Sequence, residues 1–236
     1  MAHQNEWLGH VDWWLNEVRT DPIYEIDVLP LLRRLVGSPA GPILDMGCGD
    51  GQALDQIAGR VIGCDVSIGL LRHVRVAGPL VQCELPNLDW LQPGSIEAAY
   101  MVLVLEHLPD LRIFEYAARA VATGGSMTIV MNHPTFTADG SGPIMDPSDG
   151  EVLWRWGRYF HPAASRMATP DADVTFYHRP LYDIVNAAAD AGWKLDEMVE
   201  TGFSEAAVAT EPGYVGQEEI PRLLGVRWMN TQGGRR

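Results

Sequence analysis

The sequence predicts an α/β fold in which a parallel, doubly wound sheet is covered by helices on both faces. Apolar segments such as "ILDM", "VIGCDV" and "IEAAYMVLV" alternate with helix-like segments from residue 41 onward. These segments are almost continuously apolar, which is typical of strands buried on both faces. The first of them runs directly into the glycine-rich loop "GCGDG". That loop predicts a tight turn from a strand into a helix.

Two helices are predicted before the first strand. Apolar side chains recur at helical spacing between residues 5 and 36, and Asp21-Pro22 interrupts the pattern. Further helices are predicted at residues 52–58, 67–76, 110–122 and 181–190. The remaining predicted strands are "PLVQC", "SMTIVMN" and "WKLDEMVE". A last strand is predicted within "IPRLLGVRWM".

The segment at residues 133–172 breaks this alternation. It is rich in Pro, Gly, Asp and Ser, contains the aromatic run "LWRWGRYF", and is too long for an ordinary connection. We predict that it is a lid, and that it covers a substrate site together with the N-terminal helices. The aromatic side chains expected there are Trp13, Trp14, Trp154, Tyr159 and Phe160. The chain is then one domain, 1–236, with N-terminal helices (1–40), a core (41–132 and 173–230) and this lid.

Composition argues against several classes of partner. The 17 basic and 31 acidic residues give a formal charge of -14, which disfavours binding to nucleic acid. Neither a signal peptide nor an apolar run long enough to span a membrane is evident, so we expect a soluble, cytoplasmic monomer or homodimer. The 3 cysteines suggest neither a disulfide framework nor a zinc site. Histidines 133, 161 and 178 lack the spacing of metal ligands, and no metal is predicted.

The glycine loop indicates where a ligand binds. Gly47, Gly49 and Gly51 let the backbone approach a ligand closely, since glycine has no Cβ. Asp45 precedes them, and its carboxylate would repel a pyrophosphate but suit a ligand with an ammonium group. Asp65 ends the second strand, where a carboxylate can accept hydrogen bonds from both hydroxyls of a ribose.

With these features the sequence resembles the class I S-adenosylmethionine-dependent methyltransferases, in the type 11-like branch that acts mostly on small molecules. The resemblance rests on "ILDMGCGDG", "VIGCDVS", "ELP", "MVLVLEHLPD" and "AARAVATGGSMTIVMNHP", and it extends over most of the chain. It implies a Rossmann-like, seven-stranded methyltransferase fold with an inserted lid. It also implies S-adenosylmethionine as the cofactor, S-adenosylhomocysteine as its product, and a small-molecule methyl acceptor.

The resemblance also implies a set of donor-binding residues. Asp45 and the loop from Gly47 through Cys48 and Gly49 to Gly51 would hold the methionine moiety, and Asp65 the ribose. Val66 and Ser67 would flank the adenine, while Leu105, Glu106 and His107 would line the methyl-donor site. The family often has an Asp at the position of Val81, so here Gln82 or a backbone carbonyl would contact the adenine.

The acceptor chemistry stays open between two kinds of oxygen nucleophile. A hydroxyl needs a general base, for which His107, His133 and His178 are candidates. A carboxylate needs only positioning, for which Arg179, Arg155 or Arg158 could serve. We expect O-methylation of a small, largely apolar molecule. The alternatives are N-methylation of an amine, with Glu106, Asp139 or Asp146 in the acceptor pocket, methylation of a macromolecule, and donor binding without catalysis.

Overall fold

The computed structural model describes residues 6–168 and 173–232. Its centre is a seven-stranded sheet with the strand order β10-β11-β5-β4-β1-β2-β3. The strands are β1 (Pro42–Met46), β2 (Arg60–Asp65), β3 (Leu80–Gln82), β4 (Ile96–Val102), β5 (Val121–Asn132), β10 (Trp193–Thr201) and β11 (Leu223–Asn230). This confirms the predicted seven-stranded α/β fold.

The sheet is mixed rather than wholly parallel. The strands β3, β2, β1, β4 and β5 pair in parallel, whereas β11 pairs antiparallel with both β5 and β10. The residue pattern of these two last strands gave no indication of direction, because the pattern of a buried strand such as β11 or of a partly exposed one such as β10 is the same in either orientation. Since the five parallel strands end at one edge, that edge gathers the residues that follow them.

Helices cover both faces of the sheet. The N-terminal part contains a 3-10 turn (Glu6–Leu8), α1 (Val11–Trp13) continuing as a π-helical turn (Trp14–Val18), and a second π-helical turn (Tyr24–Val28) leading into α2 (Leu29–Val36). The other helices are α3 (Ile68–Leu71), α4 (Ile113–Ala120) and α6 (Leu181–Asp190). The predicted helix at residues 52–58 is instead a series of turns. The predicted helix at 67–76 is reduced to α3.

Two apolar clusters hold these layers together. One lies between the sheet and α4 with α6, and includes Phe114 and Trp228, whose rings meet edge to face at 5.5 Å. The other lies between the sheet and α2, and includes Leu32, Leu35 and Tyr100. Burial of these side chains on both faces explains why the strands read as continuous apolar runs.

The segment predicted as a lid forms small elements outside the main sheet. It contains α5 (Pro134–Thr137) and a hairpin of β6 (Gly142–Met145) with β7 (Val152–Arg155). A second hairpin joins β8 (Ala163–Ala168) to β9 (Asp173–His178), so β9 belongs with this segment rather than with the core. The structure also has α7 (Glu205–Thr210) and a 3-10 turn (Pro212–Tyr214) between β10 and β11. None of the described helices has the length and apolar character needed to cross a bilayer.

Candidate functional site

A large cavity lies at the carboxyl edge of the parallel strands. Its empty volume is about 1210 Å³, partly open to solvent, and it is lined by side chains that follow β1, β2, β3 and β4. The roof is formed by Trp7, Trp14, Val18 and Tyr24 of the N-terminal segment, and one wall by Thr175 and Tyr177 of β9. A cleft at this edge is where open α/β sheets bind ligands.

The glycine loop forms the floor of this cavity, and its geometry requires glycine. Gly47 has a φ of 82°, and a Cβ there would lie 2.6 Å from a methyl group of Val104. Gly49 has a φ of 54° and donates its backbone N–H to Asp65 Oδ2 at 2.9 Å. A positive φ is costly for residues with a Cβ, so the loop keeps its shape only with glycine at these positions.

Asp65 connects the glycine loop to the start of α3. Besides the bond from Gly49, its Oδ1 accepts a hydrogen bond from the backbone N–H of Ser67 at 2.7 Å. Burial raises the pKa of this carboxyl, and the backbone bonds oppose the shift. Each carboxylate oxygen can accept a further hydrogen bond, so Asp65 can still receive two hydroxyls of a ligand.

Asp45 presents to the cavity a carboxyl with one unpaired oxygen. Its side chain is 1% exposed, and its Oδ2 has no hydrogen-bond partner. Burial, reinforced by the charge of Asp65 and partly offset by the Tyr100 hydroxyl, raises the pKa of Asp45 to about 8. A buried acid with one unpaired oxygen fits a ligand that brings its own positive charge, such as the ammonium group of a methionine moiety.

We expect donor affinity to fall as the pH is lowered from 7.5 to 6. With a pKa of about 8 in the free protein, Asp45 is mostly protonated in this range, and pairing with an ammonium requires its proton to leave. The affinity for S-adenosylhomocysteine should therefore drop by up to about tenfold per pH unit. Calorimetry in two buffers of different ionisation enthalpy should detect the released proton. The Asp45→Asn variant should bind S-adenosylhomocysteine weakly and release no proton. If the wild type binds equally well at both pH values, Asp45 does not pair with the ammonium of the ligand.

The roof is attached to the glycine loop through Asp50. The buried Asp50 carboxylate accepts a hydrogen bond from Trp14 Nε1 at 3.0 Å and pairs with the Arg19 guanidinium at 2.6 Å. The Trp14 ring also lies over Gly49, 3.6 Å from where a Cβ would be. Of the two neighbouring tryptophans predicted at the site, Trp14 lines the cavity and Trp13 does not.

His107 is the predicted base that the structure places at the cavity. It ends a 3-10 turn (Leu105–His107) after β4, where Leu103 has a φ of 55° and redirects the chain. Its Nδ1 lies 2.9 Å from the backbone oxygen of Thr175, and its ring packs against Trp7 and Phe176 with centroid distances of 5.0 and 4.5 Å. A carbonyl oxygen only accepts hydrogen bonds, so Nδ1 carries the proton and Nε2 is free to accept one.

The other predicted histidines do not line the cavity. His133 Nδ1 accepts from the backbone N–H of Thr135 at 3.2 Å, and its Nε2 lies 2.7 Å from Glu200. His178 contacts Thr137 Oγ1 at 2.9 Å and the backbone oxygen of Tyr159 at 2.7 Å. Burial lowers the pKa of both imidazoles. With both ring nitrogens engaged, these side chains join α5 and β9 to their neighbours and are not placed to act as bases.

Arg179 also lies outside the cavity wall, against the expectation that it clamps an acceptor. Its guanidinium donates to the backbone oxygens of Leu105, Leu108 and Tyr177. Arg155 and Arg158 are exposed, and the Arg155 guanidinium donates to the backbone oxygen of Gly140. These donors bind the protein backbone or face solvent, so the structure does not bring the predicted clamp residues to the cavity.

The aromatic side chains predicted from the lid segment lie elsewhere too. Trp154 donates to the backbone oxygen of Thr135 and packs on Phe136 at 4.3 Å. The Tyr159 hydroxyl accepts from the N–H of Leu181, and Phe160 is 72% exposed. No described residue between 133 and 168 lines the cavity. Their packing on one another and on α5 explains the cluster without a ligand.

The structure places only some of the predicted donor-binding residues at the cavity. The cavity is lined by Asp45, Gly47, Cys48, Gly49, Asp65 and Val66, as predicted. Ser67 instead caps α3, Gln82 donates to the backbone oxygen of Val66, and Glu106 accepts from Asn132. Neither these three nor Gly51 and Leu105 line it, and Cys83, Glu84 and Leu85 lie there instead. Trp7 and Tyr24 were missed because the sequence predicts that the N-terminal helices cover the site but does not show which of their side chains face it.

Comparisons with known proteins point to one family. A profile described as a methyltransferase domain matches residues 44–129. Trans-aconitate 2-methyltransferase of Rhizobium meliloti (strain 1021) is 30% identical over 182 residues, or 69% of this chain and 70% of that protein. Ubiquinone biosynthesis O-methyltransferase of Albidiferax ferrireducens is 29% identical over 48% of this chain, which spans 50% of that protein.

A solved structure agrees with these matches. The crystal structure of an S-adenosylmethionine-dependent methyltransferase from Mesorhizobium loti is 25% identical, with a TM-score of 0.74 over 85% of this chain and 96% of that one. The fold and the cavity define an α/β protein that binds a nucleotide-like ligand at the carboxyl ends of its strands. More closely, the chain belongs to the class I S-adenosylmethionine-dependent methyltransferases, and its cofactor is S-adenosylmethionine.

Proposed function

We propose that this protein transfers the methyl group of S-adenosylmethionine to a hydroxyl oxygen of a small, largely apolar molecule. The observation that carries the proposal is His107 at the cavity with its Nδ1–H held by Thr175. This tautomer leaves Nε2 to accept the proton of a hydroxyl. Relatives that are named as an O-methyltransferase of ubiquinone biosynthesis and as a trans-aconitate methyltransferase support transfer to oxygen in general.

The charges of the cavity favour a hydroxyl over a carboxylate. Among the described residues, the lining contains no Lys or Arg that could pair with an acceptor carboxylate. Of the acidic side chains there, Asp50 is already paired, Asp45 and Asp65 fit the ammonium and ribose of the donor, and Glu84 is exposed to solvent. Glu106, Asp139 and Asp146, suggested for an amine acceptor, are absent from the lining, which makes N-methylation the weaker candidate.

The donor carries the methyl group on a positively charged sulfur. The acceptor oxygen bonds to the methyl carbon, and the sulfur leaves as the neutral thioether of S-adenosylhomocysteine. The protein has three tasks in this reaction. Asp45, Asp65 and the glycine loop bind and orient the donor. Trp7 and Trp14 cover the cavity and exclude water from it. His107 Nε2 takes the acceptor's proton, while the oxygen is held in line with the methyl group.

Incubation with labelled donor tests the proposal. Purified protein should be given pools of phenols and alcohols, of carboxylic acids and of amines, and products should be identified by mass spectrometry. A methyl ether as the main product is expected. A methyl ester would show that the acceptor is a carboxylate, and a methylated amine that it is an amine; either would contradict the hydroxyl proposal. Tight donor binding without transfer to any pool would favour a protein that binds the donor without catalysis.

A further inference from the structure

The guanidinium of Arg179 donates hydrogen bonds to the backbone of the turn that carries His107. Its Nη2 donates to the backbone oxygen of Leu108 at 2.5 Å. Its Nη1 donates to the backbone oxygens of Leu105 and Tyr177 at 3.4 and 3.3 Å. Arg179 directly follows β9 and precedes α6. A partly buried guanidinium needs hydrogen-bond acceptors. The burial of Arg179 therefore favours a fixed attachment between its guanidinium and the turn.

The same strand also contacts the imidazole itself. The Thr175 backbone oxygen accepts the proton of His107 Nδ1 at 2.9 Å, and the Phe176 ring packs on the imidazole. β9 thus contacts the ring of His107 through two residues. Arg179, which follows β9, hydrogen-bonds to the backbone on both sides of His107. Neither Arg179 nor Phe176 lines the cavity.

We propose that Arg179 is a positioning residue that fixes the orientation and the tautomer of His107 through the backbone of this turn. The inference rests on the proposed function, because it matters only if His107 accepts a proton. Without the guanidinium, the Leu108 oxygen loses the donor that Arg179 supplies, the Leu105 oxygen keeps the Leu108 N–H, and the turn can move away from β9. The His107 Nδ1–H then loses its fixed partner, and the tautomer protonated on Nε2, which cannot accept the acceptor's proton at that atom, gains population.

A double-mutant cycle tests this coupling. Arg179→Met should lower kcat by about 10- to 100-fold, as is typical for loss of a residue that orients a functional histidine. The affinity for S-adenosylhomocysteine and the KM of the donor should stay within about twofold, because the glycine loop is untouched. In a His107→Gln background the same change should alter kcat by less than about twofold. Arg60→Met, an exposed arginine at the start of β2, is the matched control.

The outcomes separate the two proposals. If His107→Gln keeps its kcat, the proposed function is wrong. If His107→Gln loses activity but Arg179→Met does not, or if the two losses simply multiply, the positioning role is wrong. Should Arg179→Met fail to fold, Arg179→Lys keeps the charge without the planar set of donors. Nitrogen-15 spectra of that variant should show His107 leaving the Nδ1–H form, and a wild-type spectrum with a wild-type kcat would overturn the inference.

Discussion

Asp65→Ala is expected to weaken the binding of S-adenosylhomocysteine by about 30-fold or more. The carboxylate is positioned to accept ligand hydroxyls while it also receives the N–H groups of Gly49 and Ser67. Hydrogen bonds to a charged group contribute about 1.5–3 kcal/mol each, and a loss of about 2 kcal/mol already corresponds to about 30-fold in affinity. The substitution also releases the glycine loop from α3, which adds to the loss.

Calorimetry on the wild type, Asp65→Ala and Asp55→Ala measures this effect. Asp55 is an exposed carboxylate in the turns after the glycine loop and does not line the cavity, so its removal controls for the change in net charge. Circular dichroism should confirm that both variants fold. Unchanged affinity in a folded Asp65→Ala protein would show that the ribose is bound elsewhere.

The donor end of the site was predictable because its signals are local. The strand before Gly47, the positive φ of the loop glycines and the acid that ends β2 all follow from residues within one strand, the turns after it and the next strand. In parallel strands these positions meet at one edge whatever the rest of the chain does. The sequence therefore predicted Asp45, Gly49 and Asp65 together, and the structure brings them to one cavity.

The acceptor end was only partly predictable because it depends on distant contacts. Whether a histidine is free is decided by its partners, and Glu200 lies 67 positions from His133. Likewise Thr137 lies 41 positions from His178. The same holds for the roof, where Trp7 and Tyr24 reach the cavity only because the N-terminal segment docks on the glycine loop through Asp50. Residue type alone could not distinguish these roles.

The lid shows how composition can predict an insertion without predicting what it covers. In the Pro- and Gly-rich run predicted at residues 133–172, the described residues 133–168 do leave the main sheet, but their aromatic side chains pack on each other and on α5. Only β9, just beyond the predicted boundary, reaches the cavity. Aromatic burial stabilises a small insertion as readily as it lines a pocket, so the run "LWRWGRYF" is compatible with either role.

His107→Gln is expected to lower kcat by about 100-fold or more while leaving the donor affinity within about twofold. The glutamine amide can still donate to the Thr175 oxygen, which keeps the turn in place, but it cannot accept a proton from the acceptor. Because His107 lies beyond the glycine loop and Asp65, binding of the donor should not depend on it. Steady-state kinetics with the acceptor identified from the hydroxyl pool, together with calorimetry, measures both quantities.

His133→Gln and His178→Gln are the matched comparisons for this change. Each removes an imidazole with two occupied nitrogens outside the cavity, so each should lower the free energy of unfolding by about 1–3 kcal/mol for the hydrogen bonds lost. The kcat of the folded fraction should stay close to that of the wild type. If either variant instead loses kcat as strongly as His107→Gln, proton transfer does not run through His107 alone. If His107→Gln retains activity, the acceptor oxygen is ionised before it binds, which would favour a carboxylate.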